Sequence, residues 1–356
     1  MALHNRIDKR LLKEMIEKDP THRRTVSFYR YVNIEDPHTY RDQLYRDWEA
    51  MGCLGRIYLA NEGINAQMNV PIQEWNNFIE YLNEDEKLRE MPLKIAVEDS
   101  DKSFYKLKIK VRKKIVADGL DDSTFNPWDT GNHLSAKEFN EALENGAIVI
   151  DMRNHYESEV GHFKGAITPD ADTFRQELQM VEEMLEGKED KKILMYCTGG
   201  IRCEKASAYF KHKGFQDVNQ LRGGIIEYAH QVEQEGLPNL YIGKNFVFDE
   251  RLGERISNEC IAHCHQCAEP CDDHTNCANL ECHLLFIQCE NCKKKYENCC
   301  SDPCQEVIHL PEEVQREHRK GKAPKKDARN VFRKGRFEER QAALKHSSSS
   351  ASTVST

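Results

Sequence analysis

Residues 192–214 read KILMYCTGGIRCEKASAYFKHKG. The run KILMY has the continuous hydrophobicity of a short buried strand, and CEKASAYFKHKG has helical spacing with Gly214 as its stop. Cys197 is thereby placed at a strand-to-helix turn. Gly199 and Gly200 let that turn curl tightly, so that backbone N–H groups and the start of the helix point at the sulfur and favour an anion there. Thiols in such cradles ionise at roughly 3.5–7.5 instead of ~8.5. A buried structural cysteine is the alternative and the commoner fate beside an apolar strand. Such a residue needs neither paired glycines nor Arg202 five positions on.

Working outward, AIVID at 147–151 is a second continuous apolar run, the form taken by parallel strands covered by helices on both faces. An α/β layer follows. Upstream, residues 25–117 alternate strand-like and helix-like patterns: TVSFYRYV, a helix from about Asp36 to Met51, GRIYLA, INAQMNV, a helix from about Ile72 to Leu82, LKIAVE and FYKLKIKVRKKIV. That order predicts a ferredoxin-like βαββαβ unit with an added strand. In the last strand Lys106, Lys108, Lys110, Arg112 and Lys114 share one face, because side chains alternate with period two. Five cations in a row are either a phosphate-tracking surface or the solvated side of a half-buried sheet. The turn ANEGIN, Ala60 to Asn65, reads as a hairpin or as a substrate-facing loop. Residues 119–135 are rich in turn formers and read as a linker.

The chain has 356 residues and a net charge of −9, a length for two or three domains and a balance that argues against a general nucleic-acid binder. The charge is uneven. Arg316 to Lys345 holds twelve Lys/Arg against four Asp/Glu, so this stretch is +8 and the remainder −17. The N-terminus has no signal-peptide core and no run approaches the ~18–20 apolar residues of a membrane span, so a cytoplasmic protein with no membrane partner is expected. In that reducing compartment fourteen cysteines point to metal binding and catalysis ahead of disulfides.

Eleven of the fourteen fall between Cys260 and Cys304. Cys264 and Cys267, then Cys289 and Cys292, form two Cys-x-x-Cys knuckles 21 residues apart, the spacing of a four-thiolate structural zinc site. A second site would draw on Cys271, Cys277, Cys282 and one of Cys299, Cys300 and Cys304, with His263, His265, His274 or His283 as substitutes. Spacing does not pair them. An iron–sulfur cluster is the alternative occupant. A segment this short can hardly fold on apolar burial alone, whereas metal contributes on the order of 10 kcal/mol.

Cysteine phosphatases need an arginine six positions after the nucleophile to clamp phosphate oxygens. Position six here is Cys203 and the arginine comes one residue early, so the loop suits a single sulfur atom better. IDMRNHYESEVGHFKGA at 150–166, CTGGIRCEKAS at 197–207 and LRGGIIEY at 221–228 resemble, in order, the three motifs of a rhodanese domain. The resemblance implies that Cys197 accepts sulfur as a persulfide, held by the amides of residues 198–202. Cys203 is then either a resolving thiol or a helix residue facing the core.

The whole arrangement, with NEGINAQ, DMRNHYE, YCTGGIRCEKAS, GGIIEYA, GKNFVFDERLGERIS and CHQC, is similar to the bacterial rhodanese-containing tRNA uridine hydroxylases from about His4 to Cys304. That resemblance implies oxygen-dependent conversion of the wobble uridine of tRNA to 5-hydroxyuridine, with Cys197 essential and molecular oxygen as co-substrate. The residues expected to act are Cys197 and Arg202, with Gly199, Gly200, Lys106, Lys108, Lys110 and Arg112 binding substrate. A thiolate adding to C6 of uracil would activate C5. No flavin or NAD fingerprint is present. A sulfurtransferase acting on tRNA or a small thiol is the second reading, and a zinc-bearing RNA-binding protein with a vestigial rhodanese fold the third. The expected domains are a ferredoxin-like unit at 1–125, a rhodanese domain at 126–240, a cysteine-rich zinc module at 241–310 and a basic, disordered tail at 311–356.

Overall fold

The computed structural model describes Ile7, residues 9–320 and residues 330–333. The Ser/Thr-rich end and most of the basic stretch, for which disorder is expected, lie outside the described residues. Among the described residues no helix is long and apolar enough to cross a membrane.

The N-terminal part runs α1 (Lys9–Lys18), β1 (Arg23–Tyr31), α2 (Pro37–Ala50), β2 (Leu54–Ala60), β3 (Gly63–Pro71), α3 (Trp75–Glu84), β4 (Lys94–Ile95) and β5 (Leu107–Val111). Helix α2 begins where it does because the Asp36 carboxylate accepts the His38 and Thr39 N–H groups and Pro37 sits in the first turn. The strands form one sheet in the order β4-β1-β3-β2-β5. All neighbours are antiparallel except β2 and β5, so this is the ferredoxin-like unit with its added strand. Alternation sends Val26, Phe28, Ile57, Leu59, Ile64, Ala66, Met68 and Ile109 into one core with Trp48 of α2 and Phe78 of α3. The opposite face has no helix of its own and looks toward the rest of the chain.

The central part runs β6 (Asn132–Leu134), α4 (Ala136–Glu144), β7 (Ile148–Asp151), α5 (His155–Ser158), β8 (Gly161–Phe163), α6 (Phe174–Met184), β9 (Lys192–Tyr196), α7 (Ile201–His212), β10 (Asp217–Leu221) and α8 (Gly224–Glu235). Its main sheet, β6-β10-β9-β7, is entirely parallel. KILMY is apolar throughout because both faces of β9 are covered: Ile193 and Met195 pack with Phe174 and Phe210, Leu194 and Tyr196 with Phe139 and Tyr228. The last residues of the expected linker are thus an edge strand, β6.

Beyond it come β11 (Tyr241–Asn245), β12 (Glu254–Arg255), β13 (His274–Asn276), β14 (Leu285–Ile287), α9 (Glu290–Tyr296), α10 (Asp302–Ile308) and α11 (Glu312–Arg319). Strand β11 pairs with β8 and β12, which ties this region to the central part. Two pieces of the stretch from 311, for which a basic, disordered tail is expected, fall among the described residues. Helix α11 forms, and residues 330–333 dock: Leu285 N–H donates to the Asn330 carbonyl at 2.8 Å and Phe332 N–H to the Leu285 carbonyl at 2.9 Å. The Phe332 ring stacks on His265 at 3.8 Å, so backbone pairing and ring burial order a stretch whose composition is otherwise solvated.

Candidate functional site

Three charges of the DMRNHYE string, Asp151, Arg153 and Glu157, build the frame of the site. Arg153 is fully buried and donates to Asp151 at 2.8 and 2.6 Å and to the Gly161 carbonyl at 2.6 Å, locking the end of β7 to β8. Glu157, also fully buried, takes both Arg202 nitrogens at 2.7 and 2.8 Å. That bidentate pair ties α5 to the first turn of α7 and fixes the loop between β9 and α7.

Within the loop the sulfur of Cys197 accepts the Gly200 N–H at 3.1 Å. Gly200 has φ +99°, and a Cβ there would come 2.8 Å from the Tyr29 hydroxyl. Gly224 has φ +70°, and a Cβ would lie 2.5 Å from the Cys197 carbonyl. Both positions are closed to side chains by conformation and by space. The loop is held from behind, where Ile225 and Ile226 at the start of α8 donate to the carbonyls of Cys197 and Thr198 at 3.0 and 3.3 Å.

The electrostatics follow. Burial alone would raise the Cys197 thiol. A hydrogen bond from the Cys203 thiol, the Arg202 charge and the Cys203 and Arg202 amides outweigh it and bring the group down to about 6. Cys203 itself is buried in the core on α7 and pushed well up, chiefly by burial, so it faces the sulfur as a neutral thiol donor. The Arg202 guanidinium is engaged by Glu157 and acts on the sulfur through charge. Glu177 of α6 completes the surroundings as a fully buried carboxyl, pushed well up by burial, with neither oxygen hydrogen bonded.

Cys197 is fully buried, and above it the helix-free face of the N-terminal sheet closes over the loop. A narrow cleft opens at this junction between Ser27, Gln67 and Lys94 of the sheet and Thr198, Ile226 and Phe248 of the other side. Lys94 and Tyr29 escaped the sequence reading, because nothing local marks them and only docking of the sheet brings them within reach of a loop more than a hundred residues away.

The expected cations share the same sheet face. Lys108 stands beside Arg56 across β5 and β2, and partial burial together with Lys110, Lys106 and Arg56 lowers its amine to about 8. Among the described residues Lys106, Lys108 and Lys110 form no ion pair. Arg56 donates to the Phe248 carbonyl at 3.3 Å, at the rim of the cleft. Arg112 lies over the Tyr58 ring at 5.7 Å. Lys114 departs from the expected row: Asp118 and Asp122 hold it at 2.8 Å each. The ANEGIN turn is a two-residue connection that latches the halves together. Glu62 and Asp122 both take Lys205 at 2.8 Å, and Glu62 also accepts the Ile115 N–H at 2.7 Å.

The cysteine-rich region brings Cys264, Cys267, Cys289 and Cys292 together with their sulfurs within 4.8 Å of one another. A second tetrad, Cys277, Cys282, Cys300 and Cys304, does the same and is wholly buried. The Cys289 and Cys300 amides point at the sulfurs of Cys264 and Cys277 at 3.3 and 3.5 Å. Two sets of four thiolates at tetrahedral-site spacing suit a soft or borderline divalent ion. Cys271 and the four candidate histidines belong to neither set.

Models of three domain families match in order. The UPF0176 acylphosphatase like domain matches residues 23–115, the Rhodanese-like domain 135–231 and the Rhodanase C-terminal 242–305. A Leptospira interrogans protein named tRNA uridine(34) hydroxylase is 57% identical over 321 residues, 90% of this chain and 88% of its own. Proteins of the same name from Enterobacter sp. strain 638 and Photorhabdus laumondii are 53% and 51% identical over 337 residues, 94% of this chain in each case and 96% and 95% of their own.

Proposed function

The chain belongs to the family of tRNA uridine(34) hydroxylases, and from that premise we propose that it converts uridine 34 of tRNA to 5-hydroxyuridine in an oxygen-dependent reaction with Cys197 as the essential residue. The observation that carries the reading is a buried sulfur lowered to about 6 in a loop whose next residue, Thr198, lines a cleft between two domains. At neutral pH it is a thiolate, the form that adds to an electron-poor carbon. The sulfur bonds to C6 of uracil while the C5–C6 π pair shifts toward O4. The negative charge passes from sulfur to an enolate oxygen, no proton moves, and C5 becomes the electron-rich carbon that hydroxylation requires. Arg202 is a positioning residue here, holding the loop through Glu157 and the thiolate through charge. Gly199 and Gly200 supply the turn.

Lys106, Lys108 and Lys110, with Arg56 and Arg112, bind the phosphates that flank the target base. Each cysteine tetrad holds one structural zinc ion, which when bound would fasten the hairpin β13–β14 to α9 and α10. The protein acts in the cytoplasm, where its tRNA substrate is found.

Nucleoside mass spectrometry of tRNA from a strain deleted for its own hydroxylase, complemented with this chain or with Cys197→Ser, tests the reading. Wild type restores 5-hydroxyuridine and the variant does not. Restoration by the variant, or restoration of a thiolated nucleoside in place of 5-hydroxyuridine, contradicts it, and the second result would favour sulfur transfer.

A further inference from the structure

The strand registers place one polar row across the helix-free face of the N-terminal sheet. Lys94 lies opposite Ser27, Ser27 opposite Gln67, Gln67 opposite Arg56 and Arg56 beside Lys108. Four strand spacings make this row about 19 Å long. One end is the unpaired cation cluster, and the other is Lys94, in the cleft above Cys197.

Lys94 is an unusual lysine. The residue is 7% exposed, and among the described residues no carboxylate lies within ion-pair distance of its ammonium. The stem crosses both glycine pairs, with Cδ and Cε each 3.7 Å from where a Cβ would stand on Gly199 and on Gly223. The ammonium lies 4.5 Å from the centre of the Tyr29 ring. Burial pulls the amine down to about 8 against the opposing pull of Cys197, Glu227 and Glu204. A buried ammonium without a carboxylate is costly to maintain. A structural strut across two glycine pairs would be served by an apolar chain of the same length.

We propose that this cleft seats the target base and that the Lys94 ammonium donates a hydrogen bond to O4 of the uracil, making Lys94 a substrate-contacting residue that selects uridine. The inference rests on the hydroxylase reading above. An ammonium only donates. Uracil presents an acceptor at O4, whereas cytosine presents an N–H₂ donor at the same place, so the same group welcomes one base and repels the other. When the sulfur adds to C6 the charge arrives at O4, and a donor already aimed there stabilises it most at the moment it forms. The flexible four-carbon stem lets the amine follow the base as it displaces the stem from above Gly199 and opens the path to the sulfur.

The test uses the full chain and two anticodon stem-loop RNAs that differ only in carrying uridine or cytidine at position 34. Their affinities are compared by fluorescence anisotropy without oxygen, and 5-hydroxyuridine is measured in the complemented deletion strain. Wild type is expected to favour the uridine RNA by about tenfold or more. Lys94→Gln binds both equally with the salt dependence unchanged and lowers 5-hydroxyuridine formation by about 100-fold. Lys94→Arg keeps part of the preference. Lys94→Met retains the apolar stem over the glycines and behaves like Gln, which separates loss of the donor from loss of packing. Retention by the Gln and Met variants of either the uridine preference or wild-type 5-hydroxyuridine overturns the proposal, as does a wild type without preference. Absence of 5-hydroxyuridine with the wild type would instead sink the hydroxylase reading, and the binding comparison would still decide the role of Lys94.

Discussion

Cys197 is ionised because two opposed effects are unequal: burial favours the thiol, while Cys203, Arg202 and two amides favour the anion more strongly. The thiolate absorbance that distinguishes wild type from Cys197→Ser should titrate with a midpoint near 6, well below an ordinary thiol. Removal of the Cys203 donor in Cys203→Ala should move that midpoint upward. The sign for stability follows, since a lowered acid group stabilises the fold fully above the ordinary thiol range and this contribution fades as pH falls through about 6. The two buried glutamates nearby should behave oppositely. Glu157→Gln leaves the Arg202 charge buried without its partner and should lower stability by about 3 kcal/mol or more in denaturant unfolding. Glu177 has no hydrogen-bond partner and burial pushes it toward its neutral form, so Glu177→Gln should change stability by less than about 1 kcal/mol. At this scale the sequence reading reached Cys197, Arg202 and the glycines, because a strand, a tight turn and a helix start are local. It left Cys203 undecided, since only the rotation of α7 about its axis determines whether residue 203 faces the sulfur.

Elements explain why the loop keeps its shape. It is clamped between the first turns of α7 and α8, and Gly224 is where the second clamp touches it. Gly224→Ala should destabilise the protein by more than about 1 kcal/mol, from backbone strain and the clash with the Cys197 carbonyl. It should also raise the Cys197 midpoint by displacing the loop, and both effects are readable by thermal unfolding and the same absorbance titration. The parallel sheet and the βαββαβ order were legible because period and run length depend on neighbours in sequence. The first cysteine tetrad was legible for the same reason, as two Cys-x-x-Cys knuckles. The second was not: Cys277 and Cys282 meet Cys300 and Cys304 only through the β13–β14 hairpin and α10, and no spacing rule encodes that meeting. Metal analysis of the purified protein should find two zinc ions per chain, and Cys282→Ala should reduce the content to one while lowering the temperature at which the module unfolds.

On the scale of the molecule, the helix-free face of the N-terminal sheet closes over the loop of the central part that carries Cys197. Lys205, shared by Glu62 and Asp122, holds the two parts together. The alternation of lysines on β5 was readable from sequence, but their continuity with Lys94 was not, because strand order in space differs from strand order in the chain. Lys108→Ala should weaken tRNA binding irrespective of the base at position 34 and reduce the slope of log affinity against log salt by about one. The most direct measurement concerns the bond that the account requires. An anticodon stem-loop carrying 5-fluorouridine at position 34 is mixed with the protein in the presence of oxygen, where fluorine replaces the C5 hydrogen whose loss would release the sulfur after hydroxylation, then quenched in denaturant, and the digested chain examined by mass spectrometry. The account predicts a nucleotide-bearing peptide joined through the sulfur of Cys197, formed by wild type and absent from Cys197→Ser. A wild type that hydroxylates tRNA in cells yet gives no such peptide would contradict it.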